Sequence, residues 1–295
     1  MGELLPISVD ALNDWFVQRL NVPLEIVAQQ KPLFKVNGDP EDSFALEVNL
    51  YEDEREVLFR FQRYDLDEKC LRMGDIVLLD KSYAGLGTIL QYEVENFFIE
   101  NFGFTKSFIS ASSKGGSYIW ISYGYLPTDA EIPKLQKALH ESFKSFSTTI
   151  ENYGGQIPDS FKDKTKSLIE KLAEDKSALR DIAKLQLAVT DMFVSACPAD
   201  PACSLKDLFD EKSRRAAFLN RMKSEGIIDK SGLFNVARRI LTTCGLGYGA
   251  VLDFSDTEAM ALRAETVARA RIRFAESMRL KTESLMEAAP CPVSP

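Results

Sequence analysis

Two glycines set two residues apart, Gly85 and Gly87, follow the apolar strand-like run Ile76-Val77-Leu78-Leu79 and precede a helical pattern from Thr88 to Asn101. A strand-to-helix turn of this kind can hold a phosphate. The missing Cβ atoms let the backbone approach a ligand, and the first N–H groups of a helix have no internal partner and carry the positive end of its dipole. Other chemistry is narrowed by what the chain lacks. His140 is the only histidine and lies on a charged helical pattern from Glu131 to Ser147, which reads as a solvated helix surface. One such histidine leaves no zinc cluster and no ordinary Ser-His-Asp or Cys-His mechanism. The five cysteines, Cys70, Cys197, Cys203, Cys244 and Cys291, form an odd set without metal-type pairing, and only Cys197 and Cys203, joined by a double-proline turn, are close enough in sequence to suggest a bridge.

The elements that must position the turn follow from period and punctuation. A helix is expected from Ser8 to Leu20, with Ser8 as N-cap and Leu12, Trp15, Phe16 and Leu20 on one face. Phe44 to Tyr51 and Val57 to Tyr64 alternate with period two around the acidic turn Glu52 to Glu54, which predicts a hairpin, and a third strand from Cys70 to Leu79 delivers the chain to the glycines. Beyond the turn come a buried strand, Phe108 to Ser112, and a short helix stopped by glycine, Gly115 to Tyr125.

This order resembles the GNAT superfamily of acyl-CoA N-acyltransferases over Phe44 to Pro127. The family's Q/R-x-x-G-x-G/A loop aligns as Ser82-x-x-Gly85-x-Gly87, and its later N-x-x-A-x-x-x-Y-x-x-x-G-F pattern aligns as Ser113-x-x-Gly116-x-x-x-Trp120-x-x-x-Gly124-Tyr125. The spacing is kept, while the polar positions have changed. The resemblance implies an α+β fold, a GNAT-like mixed sheet flanked by helices, and an acetyl-CoA site at Ser82, Gly85, Leu86, Gly87 and Thr88, with the pantetheine arm along Ile76 to Asp80. It also implies an oxyanion donor at the Leu79 N–H and a contact from Ser113 on the acyl side. The family's tyrosine acid falls on Trp120, whose indole has no useful acidity, so Tyr123, near the same helix face, becomes the substitute acid. Glu47, Asp75 and Asp80 are the candidate bases, Asp75 lying on the strand that leads to the turn. The lost loop residue, asparagine and tyrosine equally suit a catalytically inactive GNAT-like structural or assembly protein. The style is that of divergent phage or bacterial-effector domains, such as a virion component.

After Pro127 a helix from Ile132 to Phe146 leads to the turn-rich stretch Asn152 to Pro158, taken as a boundary between a GNAT-like domain at 1–150 and an all-α domain at 151–295. Helices are expected at Phe161 to Glu174, Ser177 to Ala196, Leu205 to Glu225 and Ser231 to Cys244, with the glycines from Gly245 to Gly249 as a stop. The last helix, Ser255 to Ala288, opens on a capping box of Ser255 and Glu258. It carries Met260, Val267, Phe274, Met278 and Leu285 as a stripe expected to dock on a partner or to drive self-association through 255–288. The chain has 295 residues, 45% hydrophobic, and a formal charge of −8 that disfavours broad binding to nucleic acid or anionic membranes. No apolar run reaches the roughly eighteen residues of a membrane span, and the start lacks a signal-peptide pattern, so a cytoplasmic or virion-associated setting is expected.

Overall fold

The computed structural model describes residues 4–34, 40–111, 116–194, 208–209, 212–244 and 247–288. The protein is α+β, with a mixed, mostly antiparallel sheet flanked by helices. It packs as two compact units: Met1–Ile109 with Val251–Pro295, and Ser110–Ala250. The division differs from the one expected from sequence. The turn-rich stretch Asn152 to Pro158 lies inside the second unit, and the long last helix belongs with the first.

The first unit opens with α1 (Val9–Leu20), whose N-cap Ser8 accepts from the Ala11 N–H and whose Leu12, Phe16 and Leu20 are buried. Strands β1 (Glu25–Phe34), β2 (Pro40–Glu52), β3 (Arg55–Asp65) and β4 (Cys70–Leu78) form an antiparallel meander with β1 at its edge. The β2–β3 turn is tight because Asp53 and Glu54 both adopt positive φ. Helix α2 (Leu86–Phe102) stops at Gly103 and crosses back to β5 (Lys106–Ala111), which pairs parallel to β4 at Cys70↔Lys106 and Leu71↔Ser107. Leu46, Val48, Leu50 and Leu58 from the sheet meet Leu90, Phe97 and Phe98 of α2 and Phe16 of α1 in one apolar core.

Tyr64 is 5% exposed in that core, and its hydroxyl donates to Gln30 Oε1 at 2.9 Å. Burial pushes its phenol up to about 12 from 10.0. The folded state therefore keeps the proton longer than the unfolded chain, so this group's support for the fold is complete below pH 10 and lost as pH rises toward 12. Wild type is expected to lose about 3 kcal/mol more than Tyr64→Phe over that window, read from denaturant midpoints at each pH. Parallel curves for the two proteins would refute the assignment.

The second unit holds α3 (Gly116–Tyr123), β6 (Leu126–Pro127), α4 (Ile132–Asn152), α5 (Asp159–Lys171), α6 (Ala178–Ala183), β7 (Gln186–Ala188), α7 (Val189–Met192), α8 (Arg214–Ser224), β8 (Leu233–Asn235) and α9 (Val236–Thr243). Helix α4 buries Leu135, Leu139, Phe143, Phe146 and Ile150 at helical spacing, and Phe146 meets Phe234 with centroids 5.2 Å apart. This half is not all-α. The helix expected at Ser177 to Ala196 is interrupted by β7, and the one at Ser231 to Cys244 begins as β8, the two strands pairing with Leu187 opposite Phe234. Of the helix expected at Leu205 to Glu225, α8 covers the later part. His140 is partly buried on α4. Cys197, Cys203, the two residues 245 and 246, and the tail 289–295 lie outside the described residues.

Strand β9 (Tyr248–Asp253) follows the glycine stretch and runs, like β5, across the border of the two units. Helix α10 (Thr257–Ala288) returns to the first unit. Its N-cap is Asp256, which accepts from the Glu258 and Ala259 N–H groups, so the expected Ser255 box does not form. Ser255 is bound to Asp253 instead, donating from both N–H and hydroxyl. The same Asp-x-Ser turn recurs wherever the tripeptide Asp-Lys-Ser occurs, at Asp80, Asp175 and Asp229. No described helix is long and apolar enough to cross a membrane.

Candidate functional site around the glycine turn

At the end of β4 the Leu79 and Asp80 N–H groups both donate to the Val57 carbonyl, at 3.0 and 3.3 Å. The Leu79 N–H is thus spent on the sheet and is not the oxyanion donor expected from sequence. Asp80 then caps a short 3-10 turn, Lys81–Tyr83, accepting from the Ser82 N–H at 2.9 Å and hydroxyl at 2.7 Å, and pairs with Arg55 at 2.7 Å. The backbone and hydroxyl of Ser82 hold its carboxyl below the usual range, so it stays an anion beside the turn. As a base Asp80 is fully engaged, and a second anion arriving here would meet it at close range.

Gly85 is the N-cap of α2 with φ 94°, and its carbonyl accepts from the Thr88 and Ile89 N–H groups at 3.1 and 3.2 Å. Thr88 therefore has no N–H to offer a phosphate. Gly85 has a structural reason to be glycine beyond its φ. A Cβ built on it would stand 2.3 Å from the Ala270 carbonyl oxygen and 3.3 Å from the Phe274 nitrogen, because α10 crosses the turn there. Gly87 is different, since its Cβ would come no nearer than 3.5 Å to the Ile76 methyl and 3.9 Å to Leu58, ordinary contacts. Leu86 between them is buried in the core.

The crossing is fastened on both sides. Tyr83, 1% exposed, lies parallel to Phe274 with centroids 6.4 Å apart; its hydroxyl accepts from Lys281 at 2.7 Å and donates to Glu52, which also binds Lys281. Further along, Arg263 and Glu95 form a buried ion pair at 2.8 Å, and Arg271 pairs with Glu93 at 2.7 Å. The α10 stripe is therefore met within its own unit by α2 and the 3-10 turn, with Val267, Ala270, Phe274 and Met278 toward the core. Leu285 lies outside the described side chains.

The other sequence candidates are dispersed. Asp75 is exposed on β4, and its carbonyl, rather than its carboxylate, accepts from buried Arg60 at 2.9 Å. Glu47 is buried on β2, accepting from Gln29, Lys31 and Asn49, and its carboxyl lies below the usual range as those three donors outweigh its desolvation. Tyr123 belongs to the second unit, 1% exposed among Trp120 and Tyr125, with ring centroids 6.1 and 5.9 Å away. Ser113 lies outside the described residues. What sequence reading missed is the Glu52–Tyr83–Lys281 triad, for which no local signal existed. It also missed the Asp80–Ser82 cap, whose signal was the Asp-x-Ser spacing itself. Among the described residues no group of three His, Cys, Asp or Glu could hold a metal ion.

Comparison with protein-family models, with curated proteins and with solved structures yields no match.

Proposed function

We propose that the chain is a GNAT-like module that does not itself turn over acyl-CoA and serves as a structural or assembly protein, in a cytoplasmic or virion setting. The observation that carries this is the Ala270 carbonyl packed against Gly85, which fills the close-approach space a pyrophosphate would need. Asp80 supports it by occupying the Ser82 N–H, and Tyr123 supports it by being sealed among aromatic rings. The GNAT-like part of the reading draws on an antiparallel meander, a glycine turn opening α2, and a strand β5 parallel to β4.

One observation favours the acyltransferase alternative. Among the described residues the parallel ladder pairs Cys70 and Leu71 with β5, although β4 continues to Leu78. Strands that part in this way leave unpaired backbone that an extended pantetheine arm could use. In that case acetyl-CoA would meet Ser82, Gly85, Leu86, Gly87 and Thr88, with Tyr123 as acid and Asp75 as base on an unknown amine. Calorimetry with CoA and acetyl-CoA at millimolar concentration separates the two. No binding heat and no thermal shift are expected, whereas a ligand at ten times its Kd would add about 1.4 kcal/mol of stability. Binding that disappears in Gly87→Trp would overturn the structural reading in favour of the enzyme.

A further inference from the structure

Seven arginines and lysines stand between Arg214 and Thr243, from the first residue of α8 to the last of α9, against two carboxylates, Glu225 and Asp229. This stretch carries +5 in a chain of −8, so the rest carries −13. Charges more than about 10 Å apart are screened at 0.1 M salt, and the distribution therefore decides what a surface attracts. Arg214 and Arg221, seven residues apart, share one exposed stripe of α8 and lie about 10 Å apart along its axis. Past the end of α8 the Gly226 carbonyl accepts from Arg238 Nη1 at 2.9 Å, which brings Arg238 and its neighbour Arg239 on α9 against that end. Between the helices Ile228 pairs with Phe234, and Asp229 to Gly232 turn the chain with Lys230 exposed at the tip. Neither helix has an acidic residue in its first turn, and Arg214 and Arg238 occupy those turns instead, where the positive end of the dipole makes a cation unfavourable. Among the described residues Arg214, Lys230 and Arg239 have no carboxylate partner, and Arg221 meets Glu225 at a loose 3.7 Å. Asp229 is spent on its own turn, accepting from the Ser231 and Leu233 N–H groups.

We propose that α8, the Lys230 turn and α9 form a binding surface for double-stranded nucleic acid, held through its phosphates by Arg214, Arg221, Lys230, Arg238 and Arg239. The occupant follows from what the surface has and lacks. A polyanion turns the unfavourable placement of Arg214 and Arg238 into attraction, and guanidinium forks match phosphate oxygens. The only aromatic residues from Arg214 to Thr243 are Phe218 and Phe234, both buried, so no unpaired base can stack here as on a single-strand platform. No large apolar side chain of the stretch is exposed either, which removes the wedge a membrane surface or an apolar protein anchor needs. A duplex offers a rigid row of charges, about one per 1.7 Å of axis, to cations fixed on two helices and a tight turn. Contacts of this kind position a duplex without reading its sequence. The surface belongs to the second unit and makes no use of the glycine turn, so its failure would leave the reading of that turn untouched.

Fluorescence anisotropy of a labelled DNA duplex of about 20 base pairs, titrated with the full chain at several salt concentrations, tests it. Five phosphate contacts predict a slope of about −4 to −5 for log K against log salt, with the same affinity for duplexes of unrelated sequence. The triple variant Arg214→Gln, Arg221→Gln, Arg239→Gln should bind at least tenfold more weakly at low salt, with a slope of about −2. Lys134→Gln, Lys164→Gln, Lys166→Gln on α4 and α5 removes the same charge from exposed positions elsewhere in the unit and should keep the wild-type slope. If circular dichroism shows the first triple unfolded, Arg221→Gln with Lys230→Gln, both at exposed sites, should lower the slope to about −3. Absence of duplex binding by wild type at low salt overturns the proposal, as does an equal loss in the α4 and α5 variant. Tighter binding to single-stranded DNA of the same length, to phosphatidylserine vesicles or to poly-glutamate than to the duplex overturns it as well.

Discussion

Gly85→Ala is expected to lower stability by about 3 kcal/mol, while Gly87→Ala, two residues on, changes it by less than about 0.5 kcal/mol. The first substitution meets two penalties together. A side chain at φ 94° costs about 1–2 kcal/mol, and a methyl group aimed at a carbonyl oxygen 2.3 Å away forces α10 off its seat, an overpacking cost of about 1–3 kcal/mol. At Gly87 the added methyl finds van der Waals contact at 3.5 Å and removes a flexible residue from a helix. Denaturant unfolding of the two variants measures the contrast. Equal midpoints would mean that α10 does not approach the turn, and the reading of Gly85 as its socket would fall.

Arg263→Met is expected to cost about 3–5 kcal/mol, because it leaves the Glu95 carboxylate, which keeps Gln91 as a donor, without its counter-ion in a site where both side chains are sealed from water, at 2% and 0% exposure. Arg263 also donates to the Tyr92 carbonyl and to Asn96 Oδ1, at 2.9 and 2.8 Å, and lies 4.0 Å over the Tyr92 ring. The double variant Arg263→Met, Glu95→Leu should recover most of the loss, since an apolar pair of similar volume needs no partner charges. A double-mutant cycle reads the coupling directly. If the single substitution costs less than about 1 kcal/mol, the pair is not what seats the helix.

Much of the first unit was legible from pattern alone. Ser8 capped α1 as its type and position implied, and the β2–β3 hairpin and the strand leading to the glycine turn formed where the pattern placed them; in the second unit Gly124 stopped α3 at positive φ. Strand β1 was not seen. Its segment Glu25 to Phe34 mixes two glutamines, a lysine and a proline, the composition of an edge rather than of a buried strand. The three-residue strands β7 and β8 are set by their pairing with each other, and no window that short carries a period. The α10 stripe was read from its large apolar residues, yet its seat depends on Ala270, chosen for closeness to Gly85, and on Arg263, chosen for a charge 168 positions earlier. The site suffered most from this. A glycine that makes room for a helix and one that makes room for a phosphate look alike in sequence, and only the distant residue tells them apart.

The division of the chain has a consequence for its birth on the ribosome. Because the first unit is completed by residues after Val251, everything from Ser110 to Ala250 is synthesised while that unit still lacks α10. At about 5–20 residues per second this interval lasts on the order of ten to thirty seconds. Throughout it Glu95 has no Arg263, Tyr83 has no Phe274 or Lys281, and the apolar flank of α2 is open. The nascent protein therefore passes through a period in which its earliest-made core is its least protected part, and holdase chaperones that bind exposed apolar surface are expected to crosslink to the α2 region until α10 emerges and closes it.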